Sequence, residues 1–349
     1  MRHGAEHEHP MVTRTHIASI IVPNFNGSHH LKTLVAHLAE QTLRDFEIVF
    51  VDNGSSDGSV ANIEQLAQRH AMPLRVIRNE SNRGFAPACN QGIATATGHW
   101  LVLLNNDTRP EPQWLEMLVT TATSAPDVGM VASKMLRAAH PEQIDSAGIA
   151  VDWMGIVWDW RGGQLDQVNE EQPVAVFGPS GGAALYARAM LEEIGGFDED
   201  FFAYMEDVDL AWRARLAGWR CFLPPQARVL HDHSATLGHT SPRKRFLLGR
   251  NKVWLLVKNY PDPWFTRNLP FLLAYDGMAA SYGAATQHDL VAWQGRMAGL
   301  REVRRFWRKR REIHRHWRDV ENWQQAMSPV VAPWQVSRRF AHLAVQKQQ

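Results

Sequence analysis

The chain has 349 residues, of which 45% are hydrophobic and 21% charged, with a formal net charge of +1. That length suits one large domain with an appendage, or two domains. The composition excludes bulk disorder, and the near-neutral balance argues against a general nucleic-acid binder. Two cysteines, Cys89 and Cys221, cannot make a disulfide framework, and no CxxC pair suggests zinc, so both read as thiols of a reducing compartment.

The opening "MRHGAEHEHP" has no apolar h-region and is not a signal peptide; residues 1–15 read as a disordered tail. Ile17 to Val22 is a β-branched strand ended by Pro23. Leu31, Leu34, Val35 and Leu38 then recur at helical spacing behind Ser28, a plausible N-cap. "FEIVFVD" is a buried strand ending in Asp52, and Val60, Ile63 and Leu66 form the next helical stripe, which Asp57 is placed to cap. "LRVIR" is a third strand. "NRGFAPACNQGIATATG" reads as a helix opened by Gly84 and ended by Gly98. The fourth strand, "LVLL", runs into Asn105, Asn106 and Asp107. Strands and helices thus alternate about every 25 residues, which predicts parallel βαβ units in a doubly wound sheet. Ligands of such sheets bind at the carboxyl ends of the strands. Asn24, Asp52, Asn82 and Asp107 all lie just past a strand end, a row of polar groups on one rim.

After Ser133 the rhythm breaks. Residues 137–173, rich in Trp and Gly, read as an irregular insertion. "AVFGPSGGAALYARAM" restores a strand and a turn, and a helix runs from about Glu206 to Ala217, stopped by Gly218. "VLHDH" ends a last strand, and from Pro242 the chain reads as helical and basic. No run of apolar residues is long enough to span a bilayer; the nearest, "LPFLLAYDGMAASYGAAT", is interrupted by Asp276.

Four motifs in one order, "IIVPNFNG", "VDNGSSDGS", "LLNNDT" and "GGFDEDFFAYMEDVDLAWR", resemble the family 2 glycosyltransferases, and among them the bacterial rhamnosyltransferase-type enzymes of cell-surface polysaccharide assembly. The resemblance covers roughly residues 17–260. It implies an α/β GT-A fold, Rossmann-like, with a mostly parallel central sheet and helices on both faces. Residues 16–240 would form the catalytic domain, with a nucleotide-sugar half (16–135) and an acceptor half (136–240). Residues 241–349 would be a helical basic extension.

The resemblance also implies roles. Asp52 matches the base-binding aspartate, which accepts a hydrogen bond from a pyrimidine N–H; an Asx-turn or helix cap is the structural alternative. Pro23, Asn24, Asn26 and Asn106 would join it in binding the nucleotide-sugar. Asn82, Arg83 and Gly84 open a helix whose free N–H groups, with the Arg83 charge, suit a phosphate. Asn105-Asn106-Asp107 matches the DxD metal motif with Asn in the first acidic place. One carboxylate suffices where diphosphate oxygens supply further ligands to Mg²⁺ or Mn²⁺. Glu206-Asp207 matches the "ED" motif, with Asp207 as general base and Glu206 orienting it or the acceptor; capping of the helix start is the alternative. Asp209 would instead pair with Arg213 at i+4. Gly181 and Gly182 would admit acceptor or donor close to the backbone, with a bulge or turn equally open. Tyr204 would stack on acceptor sugar. A histidine at 231 or 233 is implied near the metal, His231 being at the strand end.

In the basic tail, Leu300, Val303 and Trp307 share one helical face and Phe306, Ile313 and Trp317 a neighbouring one, among many arginines. Such a helix suits an anionic membrane surface or packs on the catalytic domain with its arginines solvated. The expectation is a cytoplasmic, peripheral, inverting glycosyltransferase acting on a glycan or lipid-linked glycan from a dTDP- or UDP-sugar, with no nucleic acid. A sugar-1-phosphate nucleotidyltransferase would want a Gly-rich basic loop after the first strand, which "PNFNGSHH" lacks. A non-catalytic glycan-binding relative would fail to bind nucleotide with Mn²⁺.

Overall fold

The computed structural model describes residues 15–167, 170–232, 241–315, 317, 320–332 and 334–335; the expected tail up to residue 14, and His233, lie outside them. The N-terminal part alternates as its periodicity predicts. β1 (His16–Asn24), α1 (Ser28–Ala39), β2 (Phe46–Asp52), α2 (Ser59–Arg69), β3 (Leu74–Arg78), α3 (Phe85–Thr95) and β4 (Gly98–Leu104) follow one another. β2 is buried at every residue, as a strand covered on both faces must be. β1 pairs in parallel with β2 and β4, and β2 with β3. The β1–β2 register sets Asn24 opposite Asp52. β1 runs through Pro23 rather than ending there, because its pairing with β4 stops at Ile21 and Pro23 has only β2 beside it.

Two local expectations change. Ser28 is the first residue of α1 rather than its cap. Its N–H donates to Asp57 Oδ2 at 2.8 Å, while Asp57 Oδ1 accepts from Ser59 N at 3.1 Å, so one carboxylate serves the starts of both α1 and α2. Gly98 does not end α3. It begins β4, where a Cβ would lie 2.4 Å from the backbone nitrogen of Ser19 on β1. Glycine is needed there because two backbones meet, not because a helix stops.

β5 (Thr108–Pro110), α4 (Trp114–Ala122), β6 (Val128–Ala132), β7 (Lys134–Arg137), β8 (His140–Ser146), β9 (Ile149–Val151), β10 (Val157–Asp159), β11 (Val174–Ala175), β12 (Ala183–Ala187), α5 (Arg188–Ile194), α6 (Glu206–Leu216), β13 (Arg220–Leu223) and β14 (Arg228–His231) complete the α/β part. The main sheet has eight strands in the order β11-β13-β6-β12-β4-β1-β2-β3. It is mostly parallel, with β12 antiparallel to both neighbours. A second sheet has the order β5-β14-β7-β8, and its β8, with a hairpin of β9 and β10, lies in the span read as an irregular insertion. That reading is corrected: the strands there are three to seven residues long and interrupted by Gly and Trp, too short for periodicity to register.

The C-terminal segment is helical: α7 (Pro242–Asn259), α8 (Trp264–Gln287), α9 (Val291–Arg301), α10 (Val303–Arg315) and α11 (Val320–Ala326). α7 packs on α9 and α10. Phe306 of α10 is fully buried, stacked on Trp254 at 4.4 Å and edge-on to Phe201. Arg310 is buried too and donates to the carbonyls of Val257 and Tyr260 and to Asp262. One face of the basic helix is therefore spent on the α/β core, while Arg304, Arg308 and Arg311 face solvent.

Candidate active site

A cleft of about 730 Å³ opens where the strands of the two sheets end. Pro23, Asn24, Asn82, Gly84, Asn106 and Asp107 line it from the N-terminal strands and their loops. Gly181, Gly182, Tyr204, Glu206, Asp207 and His231 line it from the later elements. Asn26, Asp52 and Arg83 are not among its lining residues. Asn26, in a left-handed turn, accepts from Ser56 N at 2.9 Å. Asp52 is buried, accepting from Ser55 N at 3.0 Å and from Asn24 Nδ2 at 3.3 Å. It turns the chain and orients Asn24, whose Oδ1 in turn accepts from Asn106 Nδ2 at 2.6 Å.

The free helix start expected at Asn82-Arg83-Gly84 is not free. Arg83 N donates to Asn53 Oδ1 at 3.2 Å and Gly84 N to Asn82 Oδ1 at 2.9 Å. Phe85 N and Ala86 N both donate to the Phe202 carbonyl, at 2.7 and 3.4 Å. Protein acceptors take the N–H groups offered to a phosphate, because the chain preceding Glu206 and Asp207 docks on this helix end. Gly84 has φ +103°, and a Cβ there would lie 2.6 Å from the Phe202 ring, so the site demands glycine for the docking itself.

Asp107 stands where β4 has ended and β5 begins, at the junction of the two sheets. Asp107 Oδ1 lies 3.3 Å from His231 Nε2, and His231 Nδ1 lies 2.7 Å from Asp145 Oδ2. Burial alone would lower the His231 pKa, but the hydrogen bonds and charges of Asp107 and Asp145 push it up to about 10. Burial likewise raises Asp107, yet the hydrogen bond and charge of His231 hold it below its ordinary value. Asp107 and His231 Nε2 face each other as an oxygen and nitrogen pair that suits Mn²⁺ or Mg²⁺ once the imidazole gives up its proton, while Asp145, on the opposite ring nitrogen, fixes the ring. Among the described residues no three His, Cys, Asp or Glu side chains stand in metal-binding geometry, so a cation here would need diphosphate oxygens to complete its shell. Asp145 was missed in the sequence. It lies one residue before the end of β8, within the segment read as irregular.

Glu206 and Asp207 begin α6. Asp207 Oδ2 accepts from Gly181 N at 3.0 Å and Oδ1 from Val208 N at 2.8 Å. Gly181 therefore serves the acid directly; its φ is not left-handed, and a Cβ would meet only ordinary contacts. Burial raises the Asp207 pKa against those hydrogen bonds. Glu206 is raised well above its ordinary value by burial and then by the Asp207 charge, and its Oε2 is buried without a hydrogen-bond partner among the described residues. Asp209 behaves as expected, 2.9 Å from Arg213 Nε, and adds Lys258 and Asn259 of α7. It is a structural anchor.

The acids are held by a strained approach. Phe202, Tyr204 and Met205 all have left-handed φ (64°, 69° and 67°). Asn251 of α7, fully buried, spans this turn: its Nδ2 lies 2.7 Å from Tyr204 O, 2.9 Å from Ala203 O and 3.1 Å from Phe201 O. No sequence signal marked Asn251, which sits in a helix without motif.

Comparison with known proteins matches residues 19–195 to the Glycosyl transferase family 2 model. An N-acetylglucosaminyl-diphospho-decaprenol L-rhamnosyltransferase of Mycobacterium tuberculosis is 25% identical over 283 residues, covering 74% of this chain and 90% of the relative. Among solved structures, GalNAc-T7 with UDP, GalNAc and Mn²⁺ superposes with a TM-score of 0.60 at 19% identity, covering 74% of this chain and 51% of that one. The mannosyltransferase PcManGT of Pyrobaculum calidifontis, with GDP-Man and Mn²⁺, gives 0.51 at 20% identity over 86% of each chain. The matched residues run from β1 through α5 and so contain most of the cleft described above, and on that basis the chain belongs to glycosyl transferase family 2, with the GT-A fold.

Proposed function

We propose that the protein is an inverting glycosyltransferase that moves a sugar from a dTDP- or UDP-linked donor, dTDP-rhamnose among them, to a hydroxyl of a glycan acceptor in cell-surface polysaccharide assembly. The observation that carries this reading is Asp207: a half-buried carboxylate of raised pKa, fixed by the Gly181 N–H, in the same cleft as Asp107 and His231. Asp207 takes the proton of the acceptor hydroxyl as its oxygen attacks the anomeric carbon. The bond from that carbon to the diphosphate breaks in the same step, and the single displacement inverts the centre. Asp107 and His231 would hold Mg²⁺ or Mn²⁺, with Asp145 fixing the imidazole from its other nitrogen, and the cation when bound neutralises charge on the departing nucleoside diphosphate.

The name of the mycobacterial relative supports a lipid-linked acceptor. Among the described residues no helix is long and apolar enough to cross a membrane. α8 exposes Phe271, Leu273 and Met278, and α10 exposes Arg304, Arg308 and Arg311; both support peripheral attachment to the inner, anionic face of the cell membrane. The test of the reading is Asp207→Asn. Transfer should fall by about 10³-fold or more while nucleotide affinity holds; normal transfer by this variant would remove Asp207 as the base.

A further inference from the structure

Three cations line the cleft without a part in the chemistry above; Arg243 is exposed, whereas Arg137 and Lys244 are withdrawn from solvent. Arg137 ends β7, in register with His231 of β14. It is 8% exposed and lines the cleft. Its side chain donates to Gln143 Oε1 at 3.1 Å, and among the described residues no carboxylate lies within ion-pair distance. Lys244, in the first turn of α7, is half-buried and lines the same cleft, its Nζ 5.2 Å from the centre of the Tyr204 ring. It too has no carboxylate at ion-pair distance among the described residues; Asp145 and Asp159 attract it only from farther away, and burial lowers its pKa.

A guanidinium offers five donors in a rigid fork. Burying it against one neutral amide leaves its charge uncompensated, which proteins avoid unless a ligand supplies the anion. A phosphate fits such a fork bidentately, and an ammonium lining the same cleft adds a point charge. The surroundings narrow the source. Ile149, Val157, Trp158 and Leu248 line the cleft as well and are apolar, whereas Asn24, Asn53 and Asn82 from the N-terminal strands present neutral amides suited to a nucleoside.

We propose that Arg137 and Lys244 form a phosphate-binding subsite for the acceptor, so that the accepting sugar is carried on a phosphorylated, partly apolar molecule. This rests on the glycosyltransferase reading and deepens it. The subsite orients the acceptor by its charge, and Asp207 then meets one hydroxyl.

The test titrates the full chain with farnesyl diphosphate and with farnesol in EDTA, where no divalent cation bridges the phosphates. A second titration uses UDP and dTDP with Mn²⁺. Farnesyl diphosphate should bind about tenfold tighter than farnesol. Arg137→Gln and Lys244→Gln should each weaken it about fivefold or more and leave farnesol unchanged, with Arg137→Lys recovering part of the loss. Affinity for UDP or dTDP should stay within about twofold, since the subsite is not the donor's. Equal binding of farnesyl diphosphate and farnesol by the parent protein overturns the proposal, as does parental diphosphate binding by both variants. Variants that lose UDP or dTDP instead assign the phosphate to the donor, which also overturns it. Should Arg137→Gln fail to fold, Lys244→Gln on the half-buried mouth decides alone. Failure of the parent protein to bind either nucleotide with Mn²⁺ would count against the proposed function, a result separate from the farnesyl titration.

Discussion

Asn251→Ala tests how the catalytic acids are held. The turn before Glu206 keeps three non-glycine residues at left-handed φ, each costing about 1 kcal/mol or more. Roughly 3 kcal/mol must therefore be offset by contacts. The Asn251 amide has two protons for the three carbonyls around it, so it makes two full hydrogen bonds, each of about 1 kcal/mol net, and leaves buried acceptors unsatisfied when removed. Alanine thus removes about 2–3 kcal/mol of restraint, comparable with the strain, and the turn relaxes. Asp207 follows two residues after Met205, so the fraction of molecules with the base in place falls by the same energy. The expected result is a kcat lower by about 30- to 160-fold. Nucleotide affinity with Mn²⁺ should remain within about twofold, because the turn meets the α3 start through Phe202, ahead of the carbonyls of Ala203 and Tyr204 that Asn251 also holds. Initial-rate kinetics read the first quantity and calorimetry the second. If kcat stays within about twofold while Tm falls, Asn251 merely stabilises the fold. An equal loss of nucleotide affinity would refute the reasoning from the other side.

Three further outcomes follow from the same geometry. Burial, then the Asp207 charge, raise the Glu206 pKa well above 4.5. A carboxyl raised in the folded state contributes its full stability below its unfolded value and loses it as pH rises toward the folded one, so Glu206→Gln should raise Tm at about pH 8 and not at about pH 4. A Tm difference independent of pH would reject this. Asp107→Ala should abolish the Mn²⁺-dependent part of nucleotide binding; the parent protein must then bind more tightly with Mn²⁺ than in EDTA, and equal affinities in both media count against a metal at Asp107. Phe306→Ala leaves a cavity beside Trp254 and Phe201 and should destabilise by about 3–5 kcal/mol in denaturant unfolding. An unchanged midpoint would mean that α10 is a detachable appendage.

The regular part of this protein could be read from its sequence because its signals are local. A fully apolar "FEIVFVD", a helical stripe of Leu31, Leu34, Val35 and Leu38, and polar residues at successive strand ends each report on their own neighbours, and burial enforces the period. The acids at 107, 206 and 207 were visible for the same reason: each follows an apolar or aromatic run. What the sequence could not show is which groups satisfy which. Asp57 serving the start of α1, Phe202 closing the α3 N-terminus, Asp145 fixing His231 and Asn251 clamping the turn before Glu206 all join residues 29 or more positions apart. Periodicity has no access to such partners. The N–H groups of Gly84 and Phe85 were free on paper and taken in the fold, because hydrogen bonding is settled by whatever acceptor packing brings within 3 Å or so. Local sequence thus determined the sheet, its rim and the acids upon it; tertiary packing alone decided which of those acids are paired, which are held under strain, and which buried cations were left facing the cleft.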